Sequence, residues 1–207
     1  MPLIKLFNMT SLTLFLLIGS ASTVASDAGR KLAKPDSKPN IILILADDMS
    51  WFDVGSYHKR FNNLPKNAVT PNIDKIASEG MLFTRSFTAS AMCAPSRMEL
   101  YTGIYPVRNG AYGNHTRVYE GVKSVAHYFR ALGYRVGISG KGHIFPRKAF
   151  PFERAGKENN GPEGESSFGI QQTRKFMARN KKQPFFLVIA STNPHLPWNR
   201  GDTDLYP

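Results

Sequence analysis

Ile41-Ile42-Leu43-Ile44-Leu45-Ala46 is a continuous apolar run that stops at two carboxylates, Asp47-Asp48. A short run without polar alternation suits a strand buried on both faces, as in a parallel sheet. Two later stretches repeat the pattern. Tyr134 to Ser139 (YRVGIS) runs into the turn Gly140-Lys141-Gly142-His143, and Pro184 to Thr192 (PFFLVIAST) runs into Asn193-Pro194-His195. Helical signals lie between the strands. Thr70 as cap, Pro71 at the first helical position and Gly80 as stop predict a short helix. Met81 to Phe87 reads as extended, and Ser96-x-x-Glu99 as a capping box opening a helix through about Tyr101. Lys123 to Leu132 is amphipathic, with Val125, Tyr128, Phe129 and Leu132 on one side and Gly133 as stop. Ala155 to Ser167 reads as loop and Ile170 to Arg179 as helix. The alternation predicts an α/β fold, a mostly parallel sheet flanked by helices on both faces.

Outside this region, residues 1–25 read as a secretory signal peptide. Lys5 supplies the positive start, Ser11 to Gly19 the apolar stretch, and Ala21 to Ser26 the small residues around a cleavage site. The apolar stretch is shorter than the ~20 residues a membrane span needs, so no stable insertion is expected. The expected destination is the periplasm or the exterior. Residues 26–39 are polar and contain Pro35 and Pro39, which suits a flexible lead-in. The formal charge of +12 comes from scattered Lys and Arg rather than a basic tract. In an exported chain it favours anionic substrates at the surface, and nucleic acid is not an expected partner. Cys93 is the one cysteine, so no internal disulfide is possible.

The chemistry-bearing residues cluster by position. Asp47-Asp48, Lys141 with His143, and His195 each follow the C-terminal end of an expected buried strand. In an open parallel sheet those ends line one edge, where ligands bind. Asp47 and Asp48 are paired hard oxygen donors suited to Ca²⁺ or Mg²⁺. Taken alone, the aspartates also read as a solvated turn or helix cap and His195 as a rigid turn residue. Lys141 and His143, at i and i+2, could point the same way in an extended segment but decide nothing by themselves. Burial is the corresponding reading for a lone Cys93.

The segment around Cys93 decides between them. Cys93-Ala94-Pro95-Ser96-Arg97, followed by Thr102-Gly103, matches C-x-P-S-R-x-x-x-x-T-G at every fixed position. This resembles the signature of the sulfatase family, whose C-x-P-x-R core is the recognition site of formylglycine-generating enzymes. Pro39 to Asp48 resembles that family's first strand and metal-ligand pair. Gly140-Lys141-Gly142-His143 resembles its lysine–histidine turn, and Asn193-Pro194-His195-Leu196-Pro197 its later histidine. The resemblance runs from about Lys38 to the C-terminus and is nearest the heparan N-sulfatase-like branch.

The resemblance implies an alkaline-phosphatase-like fold and hydrolysis of a sulfuric ester or sulfamate, with sulfated carbohydrate as a substrate. It implies that Cys93 becomes formylglycine, whose hydrate attacks sulfur and later expels sulfate. Asp47 and Asp48, with residue 93, would ligate Ca²⁺, with Mg²⁺ less suited. Arg97 would hold the formylglycine. Lys141 would bind sulfate, His143 would orient or deprotonate the hydrate, and His195 would contact sulfate and protonate the leaving group. A formylglycine-dependent phosphonate or phosphodiester hydrolase is the alternative within the superfamily. A non-catalytic fragment is the alternative outside it, because members carry a second metal-ligand pair, a further lysine and a smaller C-terminal domain. On this reading residues 40–207 form the N-terminal portion of the catalytic domain, and the chain alone is expected to be inactive or poorly folded.

Overall fold

The computed structural model describes residues 38–61, 69–156 and 168–195. The expected signal peptide, the lead-in up to Ser37, most of the loop expected over 155–167 and the stretch from Leu196 onward lie outside the described residues. Among those described, no helix is long and apolar enough to cross a membrane.

Among the described residues, four strands form one sheet: β1 (Ile41–Asp47), β2 (Arg135–Gly140), β3 (Glu153–Arg154) and β4 (Phe185–Pro194). Their order is β1-β4-β2-β3, and every pairing is parallel. All four C-terminal ends therefore share one edge. Six helices of four to ten residues accompany them: α1 (Gly55–Arg60), α2 (Pro71–Glu79), α3 (Cys93–Thr102), α4 (Pro106–Asn109), α5 (Val125–Ala131) and α6 (Ile170–Ala178).

The apolar run of β4 behaves as its pattern predicts. Phe186, Val188 and Ala190 enter a core with Met98 and Tyr101 of α3 and Ala126 of α5. Phe185 and Leu187 point the other way, to Phe176 of α6. Burial of side chains this size contributes about 1.5–3 kcal/mol each. Gly137 of β2 makes room for that second layer, since a Cβ there would lie 2.7 Å from Phe176 Cζ.

β1 departs from expectation. Leu43 and Leu45 pack into the core, but Ile42 and Ile44 are 47% and 64% exposed. Register explains the difference. Ile42 pairs with Leu187 and Ile44 with Ile189, on the face that α6 covers over β4 but not over β1. The run is thus buried on one face only, because among the described residues β1 is an edge strand.

Two helix starts and one helix face also differ. α3 begins at Cys93 with Met92 as its extended N-cap, so Ser96 and Glu99 lie inside the helix rather than capping it. Glu99 Oε2 instead accepts from Ala89 N at 3.1 Å and Thr88 Oγ1 at 3.2 Å, pinning the preceding loop. Thr70 does not cap α2 with its side chain; its hydroxyl accepts from Gly55 N at 2.8 Å. In α5, Val125, Ala126 and Phe129 face the core, and Phe129 stacks on Phe186 at 4.5 Å, while Tyr128 and Leu132 are exposed. The expected stop at Gly133 is present, with φ +85.

Candidate active site

The shared strand edge brings together the groups that the sequence places at strand ends. β1 delivers Asp47, which is buried, and Asp48, whose φ of +58 turns the chain sharply after the strand. Aspartate is among the residues that tolerate this left-handed region. β4 pairs Pro194 opposite Asp47, which sets His195 beside the aspartates. His195 Nε2 lies 3.7 Å from Asp48 Oδ2. β2 ends in Gly140 and hands Lys141 to the same place, with Lys141 N donating to Ala190 O of β4.

Asp47 is the hub of these groups. Its Oδ1 accepts from Arg97 Nη2 at 2.9 Å, and its Oδ2 pairs with Lys141 Nζ. Arg97 Nη1 also donates to Lys141 O at 3.2 Å, so one guanidinium ties α3 to the ends of β1 and β2. Burial alone would raise the Asp47 carboxyl, but the Lys141 and Arg97 hydrogen bonds and charges outweigh it and hold it below its ordinary value. The sequence reading expects Arg97 to grip residue 93. In the structure its guanidinium contacts are to Asp47 and to the backbone of Lys141.

Cys93 is the first residue of α3, three residues before the Ser96 at which the sequence reading opens that helix. Its Sγ lies 3.6 Å from Lys141 Nζ and 4.0 Å from Asp48 Oδ1. Burial pushes the thiol up from its ordinary value, Asp47 and Asp48 add to the effect, and Lys141 opposes them without prevailing. Catalytic thiols need the opposite shift, because the thiolate is the nucleophile. Cys93 as a bare cysteine is therefore a poor nucleophile at neutral pH.

Asn114 is a further member of this site, although the local sequence Asn114-His115-Thr116 matches only an N-x-T glycosylation sequon. Its Oδ1 accepts from Ala94 N at 3.3 Å, satisfying a first-turn N–H that the side chain of the N-cap residue, Met92, does not cap. A contact between residues so far apart in sequence leaves no local pattern to read.

His143 adopts φ +50, and its buried Nδ1 has no hydrogen-bond partner among the described residues. Its ring lies 5.1 Å from that of His115. Burial, with Lys141, His115 and Arg97 adding to it, lowers the His143 pKa and favours the neutral imidazole. Cys93, Lys141, His143 and His195 all line one cavity of about 650 Å³. A second cavity of about 320 Å³ opens on the other side of Cys93, lined by Asp47, Asp48, Ser96 and Arg97.

The donor set fits a hard cation in part. One oxygen or nitrogen of Asp47 and His195 and the Sγ of Cys93 lie within 4.8 Å of one another, with Asp48 adjoining. Arg97 and Lys141 take one site on each Asp47 oxygen, and a carboxylate offers about four lone-pair sites in all. The two carboxylates of Asp47 and Asp48 supply part of the ~6–8 oxygen ligands that calcium takes.

The sulfatase family model matches residues 39–204. The chain is 35% identical over 181 residues to an ulvan-active sulfatase of Formosa agariphila, covering 86% of the chain and 35% of that protein. It is 36% identical over 165 residues to human N-sulphoglucosamine sulphohydrolase, covering 75% and 32%. Among solved structures, Ps i-CgsB in complex with k-i-k-neocarrahexaose superposes with a TM-score of 0.59 at 29% identity, covering 78% of this chain and 46% of that one. The chain thus spans about a third of the length of these two curated relatives. With the parallel sheet, the strand-end cluster and the family match over most of its length, this chain belongs to the sulfatase family.

Proposed function

We propose that this chain carries the nucleophile side of a hydrolase for sulfate esters or sulfamates, with residue 93 working as formylglycine rather than as cysteine. The observation that carries the reading is the environment of Cys93. It is a thiol at a helix start, held protonated by burial and two carboxylates, yet facing a lysine and a cluster of cation ligands. That setting suits an oxygen nucleophile beside a metal ion better than a thiolate.

Formylglycine would supply a hydrated aldehyde hydroxyl as the nucleophile for sulfur, and a formylglycine-generating enzyme would be the maturation partner. Asp47 and Asp48 would hold Ca²⁺ next to residue 93, and the ion would supply charge stabilisation at the sulfate oxygens. Lys141, fixed by Asp47, presents an ammonium to the same point and would bind a sulfate oxygen. Arg97 keeps Asp47 ionised and oriented. His143, neutral through burial, lines the same cavity, where it would orient or deprotonate the hydrate. His195, beside Asp48, would contact sulfate and protonate the departing oxygen or nitrogen.

The two curated relatives are named for sulfated saccharides, which makes sulfated carbohydrate the proposed substrate class. The N-terminal charge and apolar pattern supports export to the periplasm or exterior. The test is turnover of an aryl sulfate against an aryl phosphodiester by the protein carrying this chain, coexpressed with a formylglycine-generating enzyme. Sulfate release that requires Ca²⁺ and disappears in Cys93→Ala supports the reading. Preferred release of the phosphodiester product would assign the site to phosphorus esters instead.

A further inference from the structure

We infer that His115 is a specificity-determining residue, which binds a hydroxyl of the sugar that departs when the sulfate is cut from it. The inference rests on the sulfatase reading above and names the part of the cavity that takes the leaving group.

Depth is the first argument. Cys93, Lys141, His143 and His115 line one cavity of about 650 Å³. That volume far exceeds one sulfate and falls in the ~300–1,000 Å³ range of sites that enclose a whole ligand unit. Lys141 is buried, His143 is half-buried and His115 is exposed. The rings of His115 and His143 lie 5.1 Å apart, so the three side chains step from the floor of the cavity to its rim. A sulfate held by Lys141 at the floor would carry its leaving group outward past His143, to the level of His115.

Chemistry at the rim is the second argument. An imidazole can donate to or accept from a hydroxyl through its two ring nitrogens. Phe145 flanks His143 edge-on, with ring centroids 6.3 Å apart, and is 41% exposed on the same cavity. The rim thus pairs a polar group for a sugar hydroxyl with an apolar face for sugar C–H groups. An aryl leaving group would use only the second.

Anchorage is the third argument. His115 has φ +65, a left-handed backbone uncommon outside glycine. The turn that holds it, residues 113–116 between α4 and α5, is closed by Thr116 N donating to Gly113 O and Gly113 N donating to Thr116 Oγ1, each at 3.3 Å. On one side Asn114 Oδ1 accepts from Ala94 N, the residue after Cys93. On the other, Val118 N donates to Phe145 O at 3.0 Å. The turn is therefore tied both to the helix that carries residue 93 and to the loop that carries His143 and Phe145. Such support keeps a side chain in place relative to the bond being cut, as a selective contact requires.

The test compares hydrolysis of 4-nitrophenyl sulfate with that of glucosamine and galactosamine monosulfates. The enzyme is the protein carrying this chain, coexpressed with a formylglycine-generating enzyme. The readout is the ratio of kcat/KM for the best saccharide to kcat/KM for the aryl sulfate, which cancels differences in conversion at residue 93. His115→Gly removes the ring and tolerates the same φ, and it should lower the ratio about tenfold through the KM of the saccharide. His115→Asn also tolerates that backbone and keeps a shorter donor and acceptor, and it should lower the ratio about threefold. Should His115→Gly lose its fold on a thermal melt, the ratio in His115→Asn decides. A ratio unchanged in the folded variants, or lowered through kcat alone, overturns the inference and leaves the sulfatase reading standing. So does a wild type that hydrolyses the aryl sulfate and no saccharide. Sulfate release from neither kind of substrate overturns both.

Discussion

The ammonium of Lys141 lies 3.6 Å from Cys93 Sγ while paired to the carboxylate of Asp47. One lysine thus faces both the residue proposed as nucleophile and the carboxylate proposed as metal ligand. Its charge alone would favour a thiolate. Burial and the two aspartates together win instead, and the thiol is raised.

The unconverted chain should therefore react slowly with iodoacetamide at neutral pH. The pH profile of alkylation should have its midpoint above the ordinary value of 9.0. Asp48→Asn should shift the midpoint down and Lys141→Met should shift it up. A midpoint below that of a free cysteine would contradict the electrostatic account of this site.

Asp47 holds two buried cations, Arg97 and Lys141, at 4–11% side-chain exposure. Asp47→Ala leaves both unpaired and should cost about 3–5 kcal/mol of stability in urea unfolding. Arg97→Met, which removes one cation and keeps an apolar stem, should cost less. Equal stability of Asp47→Ala and wild type would show that the hub does not hold the strand ends together.

Protonation of His143 is opposed by burial and neighbouring positive charge, so its folded pKa lies below 6.5. A depressed histidine contributes stability that is fully present above its unfolded value and lost as pH falls through the folded one. Wild type should lose thermal stability below pH 6.5, and His143→Gln should flatten that part of the curve. An unchanged slope in the variant would remove His143 from the account.

Ile42 and Ile44 expose an apolar strip along a strand that is at the sheet edge among the described residues, and such edges associate. Ile44→Lys should reduce self-association in light scattering while changing stability by no more than about 0.5 kcal/mol. A large loss of stability would mean that Ile44 is covered.

The sequence was most legible where a buried run meets a polar stop. Asp47, Lys141 and His195 stand out because apolar strands end just before them, and the parallel sheet does the rest. β3 was illegible because Glu153–Arg154 is too short to show any run, which hid Arg154 at the fourth strand end. The Ser96-x-x-Glu99 pattern misled because the same spacing occurs inside a helix, where Glu99 serves the preceding loop. β1 read as doubly buried because composition reports apolarity, whereas coverage by α6 depends on the strand's position in the sheet.

The central claim is that residue 93 works as an aldehyde. The most direct measurement is mass spectrometry of the tryptic peptide Ser86–Arg97 from protein coexpressed with a formylglycine-generating enzyme. The account predicts a peptide lighter by the thiol-to-aldehyde difference and reactive toward hydrazide, with neither property in Cys93→Ala. Recovery of the unmodified Cys93 peptide alone would contradict it.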